Sequence, residues 1–319
     1  MMVKLSDVFD LQMGKTPSRN NNTYWTDGEY DWISISDLGN YEKYVSSTKE
    51  KITELAIKES GIKKVPSNTL IMSFKLSVGK TAISKDEVYT NEAIMAFIPN
   101  NKYDVYTDYF YHLFSGKDWS KDTNRAVMGA TLNKSTLGQI KVKIPPLEEQ
   151  RKIAETLDKV SDLINKRRQQ LEKLDLLVKS KFVEMFGDPI NNTYNILTKP
   201  MNEVCEIIDG DRGENYPKQD EFSNDGYCLF LNAKNVTSRG FLFDSCMFIS
   251  KEKDLILRKG KLKRGDVVLT TRGTLGNLAY YDDSVEYDNI RINSGMVILR
   301  MKKNIVSEKF FIEQFKMKL

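Results

Sequence analysis

The sequence predicts an α+β protein in which two related, β-rich domains are separated by one long α-helix. Three observations indicate this fold class. A helical stretch of about 40 residues lies in the middle of the chain, the sequences on its two sides resemble each other, and 319 residues are too many for one small core. We expect the first domain at residues 1–145, the long helix at 146–188 and the second domain at 189–319.

The long helix is predicted by its end signals and by its apolar spacing. Pro145 and Pro146 suit a helix start, while Gly187 and Pro189 suit a helix end. A helix of about 40 residues is about 60 Å long and cannot bury an apolar stripe against itself, so we expect a second helix beside it, from this chain or another. The apolar residues follow a heptad seam, made of Ile153, Leu157, Val160, Ile164, Leu171, Leu174 and Val178.

The two flanks repeat each other. Each begins with a short helix, continues through strands of alternating apolar residues, and reaches a further helix. Leu70–Lys80 resembles Val267–Asn277, and Asn91–Met95 resembles Asn293–Val297, at an offset of about 200 residues. The first copy continues through residues 127–134 into a strand at 139–144. The second copy has no counterpart of roughly residues 120–186, so we expect the second domain to be C-terminally incomplete.

The composition argues against a catalytic protein. His112 is the only histidine, and its aromatic surroundings predict a packed, structural side chain. Cys205, Cys228 and Cys246 form no C-x-x-C pair and are expected as free thiols in a reducing cytoplasm. Two Gly-Lys-Thr triplets lack the glycine that opens a phosphate-binding loop. We therefore expect no catalytic residue, no metal site and no cofactor, and no apolar run reaches the roughly 20 residues that cross a membrane.

Charge is nearly balanced along the chain. The net charge is +4, and residues 1–145 carry 19 basic and 17 acidic side chains. The overall charge therefore offers little attraction to nucleic acid. If DNA is the ligand, we expect tight binding to need a partner's surface.

The two ends of the helix and the strand-loop segments resemble a known family. The segments are I-P-P-L-E-E-Q at Ile144–Gln150, the helix end at Phe182–Pro189, and residues 70–80 and 267–277. Together they are similar to the specificity subunits of type I restriction-modification systems. This resemblance implies two target recognition domains, a coiled-coil spacer, and a non-catalytic subunit that directs adenine methylation to a split, asymmetric DNA sequence. Methylation and cleavage would then belong to the modification and restriction subunits.

The strand-loop segments supply the candidate DNA-binding residues. Base discrimination requires donors and acceptors on exposed loops, and Arg272 suits guanine while Asn277 suits adenine. The competing interpretation is that these polar side chains merely face water. The weaker candidates are Arg19, Asn133, Lys134, Arg212 and Lys234. The full candidate set is Ser73, Lys75, Ser77, Lys80, Thr270, Thr271, Arg272, Thr274 and Asn277.

Two functions from different classes fit these observations. The favoured one is a DNA specificity subunit whose partners are double-stranded DNA, modification subunits and, through the complex, restriction subunits. The alternative is a truncated interaction protein that self-associates or pairs with other chains through its helix and recognises no DNA.

Overall fold

The structure is a computed structural model that describes residues 1–75, 77–119, 124–126 and 129–317, without the side chains of 124–126 and 129–131. Leu76, Val127 and Met128, which belong to predicted strand-loop segments, lie outside the described residues. The chain forms two compact units, Met1–Arg168 and Gln169–Leu319. The boundary between the units falls inside the long helix, Leu147–Phe186.

Short helices and strands alternate along unit 1. Its strands are β1 (Met2–Lys4), β2 (Phe9–Met13), β3 (Tyr30–Ile33), β4 (Glu50–Ile52), β5 (Leu70–Ser73), β6 (Thr81–Ile83), β7 (Tyr89–Thr90), β8 (Ile94–Pro99), β9 (Asn124–Ala126), β10 (Gly129–Thr131) and β11 (Lys141–Lys143). Its helices are α1 (Leu5–Val8), α2 (Ile35–Leu38), α3 (Glu54–Ser60), α4 (Thr107–Ser115) and α5 (Lys134–Gln139), and the long helix α6 (Leu147–Phe186) begins here.

Two sheets frame unit 1. One is antiparallel with the strand order β2-β8-β5-β6, and the other has the order β4-β3-β7 with β3 parallel to β7. Strand β1 pairs with β11, which places Val3 opposite Val142. The core contains aromatic rings packed edge to face, with the Phe9 centroid 5.8 Å from Phe97 and 4.9 Å from Phe110.

Unit 2 repeats this plan. Its strands are β12 (Cys205–Asp209), β13 (Cys228–Leu231), β14 (Val236–Thr237), β15 (Gly240–Phe241), β16 (Phe248–Ile249), β17 (Val267–Thr270), β18 (Leu278–Tyr280), β19 (Ile290–Ile292) and β20 (Met296–Met301). Its helices, after the end of α6, are α7 (Met201–Val204), α8 (Lys251–Ile256) and α9 (Glu308–Met317). The sheet orders are β12-β20-β17-β18 and β16-β13-β19, with β13 parallel to β19. Each order matches that of unit 1, so the predicted α+β duplication is confirmed.

Helix α6 lies where the sequence predicts it. It runs for 40 residues, directly after Pro145 and Pro146, with Glu148 and Glu149 in its first turn. Gly187 follows it with φ of 75°, a left-handed conformation that glycine adopts without strain, and its N–H donates to Val183 O at 2.8 Å. The prolines before α6 and the glycine after it therefore account for where the helix begins and ends.

Candidate nucleic-acid interface

The loop between β5 and β6 is closed by the hydroxyl of Ser73. Its Oγ accepts a hydrogen bond from the N–H of Lys80 at 3.1 Å and donates one to the carbonyl oxygen of Ser77. The N–H of Gly79 donates to Ser73 O at 2.9 Å, and Gly79 has φ of 95°. Ser73 is fully buried, so its side chain shapes the loop. We call this hydrogen-bonded arrangement the clasp.

Unit 2 contains the same clasp between β17 and β18. Thr270 Oγ1 accepts from the N–H of Asn277 at 3.0 Å and donates to the carbonyl oxygen of Thr274. The N–H of Gly276, whose φ is 86°, donates to Thr270 O at 3.0 Å. Residues 73–80 and 270–277 share only this glycine, so the clasp is kept while the side chains around it differ.

Several candidate side chains are engaged inside the protein. Thr271 Oγ1 donates to Gly295 O at 3.0 Å, and Asn277 Nδ2 donates to Val236 O at 3.0 Å. Like the two clasp hydroxyls, these groups already have protein partners in the folded chain. We therefore narrow their proposed role from base contact to positioning of the loops.

The remaining candidates present their side chains to solvent. Ser77, Lys80, Arg272 and Thr274 are exposed, and Lys75 is half-buried. The guanidinium of Arg272 has no hydrogen-bond or ion-pair partner among the described residues. A guanidinium without a partner in the folded chain keeps all of its donors for a ligand.

Four loops of unit 2 meet beside Arg272, and we call this surface the loop edge of unit 2. Arg212 Nη2 donates to Ser294 O at 3.3 Å, and the N–H of Arg272 donates to Gly295 O at 3.2 Å. The loops follow β12, β13, β17 and β19, at residues 210–213, 232–235, 271–277 and 293–295.

The loop edge of unit 2 carries exposed positive charge. Arg212, Lys234 and Arg272 are exposed there, although Arg212 also lies 3.7 Å from Asp209 at the end of β12. The four loops contain one acidic residue, Asp211, and it is buried. Local charge at this edge therefore suits a phosphate backbone even though the whole chain is nearly neutral.

Asp211 points inward and holds its loop. Its Oδ2 accepts hydrogen bonds from the backbone N–H groups of Arg258 at 2.6 Å and Lys259 at 3.3 Å. Burial alone raises the pKa of this carboxyl, but the backbone donors outweigh it and hold the pKa below its ordinary value. The carboxylate is thus charged at neutral pH without facing the edge.

Unit 1 has an equivalent edge with other side chains. Asn91 Nδ2 donates to Thr16 Oγ1 at 3.0 Å, which joins the loops that follow β7 and β2. The ammonium of Lys80 lies against Gly39, at the end of α2. The two edges share their backbone plan but present different exposed groups.

Arg19, a weaker candidate, is held within unit 1. Its guanidinium forms two hydrogen bonds with the carboxylate of Glu50, at 2.5 and 2.9 Å, and its Cζ lies 3.7 Å from the Trp25 ring centroid. This pairing neutralises its charge and orients it by stacking.

The apolar seam of α6 is mostly exposed. Ile153 packs against the core of unit 1, but Leu157 is 40% exposed and Leu174 is 56% exposed. A row of exposed aliphatic side chains along a helix marks an interaction surface. The exposed seam residues are Leu157, Val160, Ile164, Leu171, Leu174 and Val178.

Sequence reasoning missed the residues that anchor α6 on unit 1. Asp158, on α6, accepts from Lys43 Nζ at 2.6 Å and lies 2.8 Å from His112 Nε2 on α4. Lys43 also contacts Asp108 at 2.6 Å. Burial raises the pKa of Asp158, but Lys43 and His112 outweigh it and leave the pKa below its ordinary value. The histidine is structural, as predicted, and its partner is the long helix.

The described part of the chain contains neither a metal-binding cluster nor a helix that could span a membrane. Across it, no group of three or more His, Cys, Asp or Glu side chains is arranged to hold a metal ion. Among the described helices, none combines the length and the apolarity needed to cross a membrane.

The known proteins that this chain resembles are specificity subunits of type I restriction enzymes. A family model for the type I restriction modification DNA specificity domain matches residues 1–173. The MjaIX type I restriction enzyme specificity subunit of Methanocaldococcus jannaschii is 29% identical over 276 residues, covering 82% of this chain and 62% of that protein. A type I specificity subunit of Escherichia coli is 30% identical over 193 residues, covering 58% and 46%. The chain thus spans about half to three fifths of the length of these relatives.

Solved structures agree on the fold. The S subunit of the type I restriction-modification system from M. genitalium superposes with a TM-score of 0.53 at 13% identity, covering 99% of this chain and 76% of that one. At this identity the likeness concerns the fold alone. Because the family model covers more than half of the chain, the protein belongs to the type I restriction modification DNA specificity domain family.

Proposed function

We propose that the chain is a non-catalytic DNA specificity subunit in which each unit reads one half of a bipartite DNA site. The observation that carries this proposal is the repeated clasp. Two units share a backbone plan and a buried hydroxyl at the same place, yet expose different groups on the loops that the clasp holds. Common architecture with different exposed side chains is what two readers of different half-sites need.

Within each unit we assign distinct roles to the candidates. Arg272 and Thr274 in unit 2, and Lys75, Ser77 and Lys80 in unit 1, make the DNA contacts. Arg212 and Lys234 add phosphate contacts at the loop edge of unit 2, because exposed cations there favour the backbone of DNA. The clasp hydroxyls, Thr271 and Asn277 hold the loops in place.

Helix α6 is proposed to set the distance between the half-sites. Half-sites appear on one face of DNA only at defined separations, so a reader pair needs a stiff connection, which a flexible linker does not provide. The exposed seam supports a helical partner that stiffens α6. We propose that α6 also docks the modification subunits, which supply the methylation chemistry, and that restriction subunits join through them.

The test uses a complex reconstituted with modification subunits and a DNA library randomised at both half-sites. Arg272→Ala should lower the preference for the wild-type base at one position by about 1–3 kcal/mol and leave the other half-site unchanged. Leu255→Ala, an exposed substitution on α8, is the matched control in the same unit. An unchanged sequence preference in the Arg272→Ala complex would remove Arg272 from the interface.

A further inference from the structure

An exposed carboxylate, that of Glu92, lies where the loops of unit 1 meet. These loops follow β2, β3, β5 and β7, and we call their surface the loop edge of unit 1. We propose that Glu92 reads the amino group of a cytosine in the half-site bound by unit 1. This assignment rests on the proposed function, since it names a base that one of the two readers recognises.

Backbone hydrogen bonds join the residues on either side of Glu92 to two neighbouring loops. The N–H of Asn91 donates to the carbonyl oxygen of Ile33, at the end of β3, at 3.0 Å. The N–H of Phe74, directly after β5, donates to Ala93 O at 3.0 Å. Glu92 therefore stands between the loop that follows β3 and the loop that the clasp closes.

Ser294 occupies the equivalent position in unit 2, on the same kind of turn. In unit 1 the N–H of Ala93 donates to Asn91 Oδ1 at 2.8 Å. In unit 2 the N–H of Gly295 donates to Asn293 Oδ1 at 2.9 Å. The same turn therefore carries a carboxylate in unit 1 and a hydroxyl in unit 2. Because the turn of unit 2 belongs to its loop edge, the turn of unit 1 belongs to the equivalent surface.

Two linked hydrogen bonds orient the carboxylate of Glu92. Asn91 Nδ2 donates to Thr16 Oγ1 at 3.0 Å, and Thr16 Oγ1 in turn donates to Glu92 Oε2. Among the described residues, Glu92 Oε1 has no hydrogen-bond partner and the carboxylate has no ion-pair partner. Arg19, a cation of the same unit, gives both of its guanidinium hydrogen bonds to Glu50 instead. The carboxylate therefore keeps an oxygen that can accept a hydrogen bond from a ligand.

A carboxylate offers only hydrogen-bond acceptors, which restricts what Glu92 can contact on DNA. Phosphate groups are negatively charged acceptors, so a favourable partner must be a donor on a base. In the major groove cytosine presents its N4 amino donor, whereas adenine places its N6 donor beside the N7 acceptor. Guanine presents the N7 and O6 acceptors, and thymine presents the O4 acceptor and a methyl group. An acceptor-only side chain therefore matches cytosine best.

The loop edges of the two units differ in charge at equivalent positions, counted from the strand ends that precede them. At three such positions unit 2 carries Arg212, Lys234 and Ser294, and unit 1 carries Thr16, Ser36 and Glu92. Hydroxyls thus replace two cations, and a carboxylate replaces a hydroxyl. Exposed cations bind phosphate in any sequence, whereas a base edge is bound only in the matching sequence. At these positions unit 2 is suited to phosphate and unit 1 to a base.

The test uses the reconstituted complex and the DNA library randomised at both half-sites. The half-site of unit 1 is the one that Arg272→Ala leaves unchanged, and in the wild type it should specify a C·G pair. Glu92→Gln should lower the preference for cytosine at that position about tenfold, because the amide can place a donor opposite the amino donor of cytosine. The sequence preference in the half-site of unit 2 should stay the same.

Two variants and one control separate base reading from a role in holding the loop. Glutamine at position 92 keeps an oxygen that can accept from Thr16, whereas alanine does not. Both Glu92→Gln and Glu92→Ala should lose the cytosine preference, while their binding to scrambled duplexes stays at or above the wild-type level, since the removed charge repels phosphate. Glu87→Gln is the matched control, because Glu87 is also exposed but precedes β7, where it pairs with Lys64 at 2.7 Å.

Four results overturn the assignment of Glu92 while leaving the proposed function intact. They are a unit 1 half-site without a C·G pair, a cytosine preference that Glu92→Gln retains, weaker binding of both Glu92 variants to every sequence, and loss of modification-subunit binding with base preference unchanged. In each case a bipartite methylated motif, altered in one half by Arg272→Ala, still supports two readers. A methylated motif that is not bipartite overturns the proposed function itself, and the assignment of Glu92 with it.

Discussion

The buried side-chain oxygen Oε1 of Gln150 accepts a hydrogen bond of 2.9 Å from the backbone N–H of Tyr106. Nε2 of the same side chain donates to the carbonyl oxygens of Asp104 and Pro145, each at 2.9 Å. One amide therefore ties the first turn of α6 to the segment that leads into α4. The glutamine that ends the I-P-P-L-E-E-Q segment thus fixes the long helix on unit 1.

Replacing Gln150 by alanine should destabilise unit 1 by about 1–3 kcal/mol, because buried backbone groups lose their partners. Urea unfolding of the full chain, followed by a probe in unit 1, measures the change. Gln169→Ala, an exposed glutamine on the same helix, should stay within about 0.5 kcal/mol of wild type. Equal stability of the two variants would contradict the assigned role.

Asp158 makes a second contact between α6 and unit 1, and its effect depends on pH. Its pKa is lower in the folded chain than the ordinary value of 3.8, so it stabilises the fold above about pH 4 and loses that contribution as pH falls through the folded value. We expect Asp158→Asn to cost on the order of 1 kcal/mol at pH 7, since the carboxylate is partly exposed.

The measurement is thermal unfolding of wild type and Asp158→Asn between pH 7 and pH 3. The difference in Tm should shrink toward pH 3. A difference that grows with acidity would refute this linkage. Asp162→Asn, which changes an exposed carboxylate one turn further along α6, is the control.

Local signals in the sequence predicted much of the fold. Proline before Leu147 and glycine after Phe186 gave both ends of α6, and the resemblance of Leu70–Lys80 to Val267–Asn277 gave the duplicated sheets. Such signals act within a few residues or repeat at a fixed offset, so they are visible without a structure.

The sequence did not predict the clasp or the contacts of Gln150 and Asp158 that hold α6 on unit 1, because both depend on which side chains become buried. A serine in a loop segment suggests an exposed hydroxyl, yet Ser73 is fully buried and bonds the backbone. Gln150 and Asp158 look like ordinary polar residues of a charged helix. Their partners, Tyr106 and Lys43, lie far away in sequence, and only the folded chain brings them together.

Removing the clasp hydroxyl should alter one half-site only. Thr270→Val keeps the shape of the side chain but leaves the N–H of Asn277 without its partner, at a cost of about 1–3 kcal/mol. Methylation of a randomised library should then show weaker base preference in the half-site read by unit 2. Ser73→Ala is the matched change in unit 1 and should affect the other half-site. Loss of preference in both half-sites with either variant would argue against independent readers.

Lys80 and Arg272 should differ in how salt affects their variants. If Lys80 contacts phosphate, Lys80→Ala weakens binding to every sequence and lowers the slope of log K against log salt by about one. If Arg272 reads a base edge, Arg272→Ala mainly changes sequence preference. Binding of the reconstituted complex to specific and scrambled duplexes, between low and high salt, separates the two roles. Identical behaviour of the two variants would contradict a phosphate contact by Lys80 together with base reading by Arg272.

Charged residues in the seam should prevent assembly without unfolding the chain. Leu157, Ile164 and Leu171 are 40–48% exposed, so their replacement by glutamate removes little core packing. Co-purification with modification subunits should be lost, while circular dichroism and Tm stay close to wild type. The same substitution at Ser161 and Lys166, exposed on α6 outside the predicted seam, should leave assembly intact. Full assembly of the triple variant would refute the seam.

Sequencing methylated adenines in a random DNA library treated with the reconstituted complex tests the central claim most directly. Two readers held by one stiff helix predict two different short half-sites separated by a gap of one length. A contiguous motif, or half-sites separated by gaps of many lengths, would contradict the account.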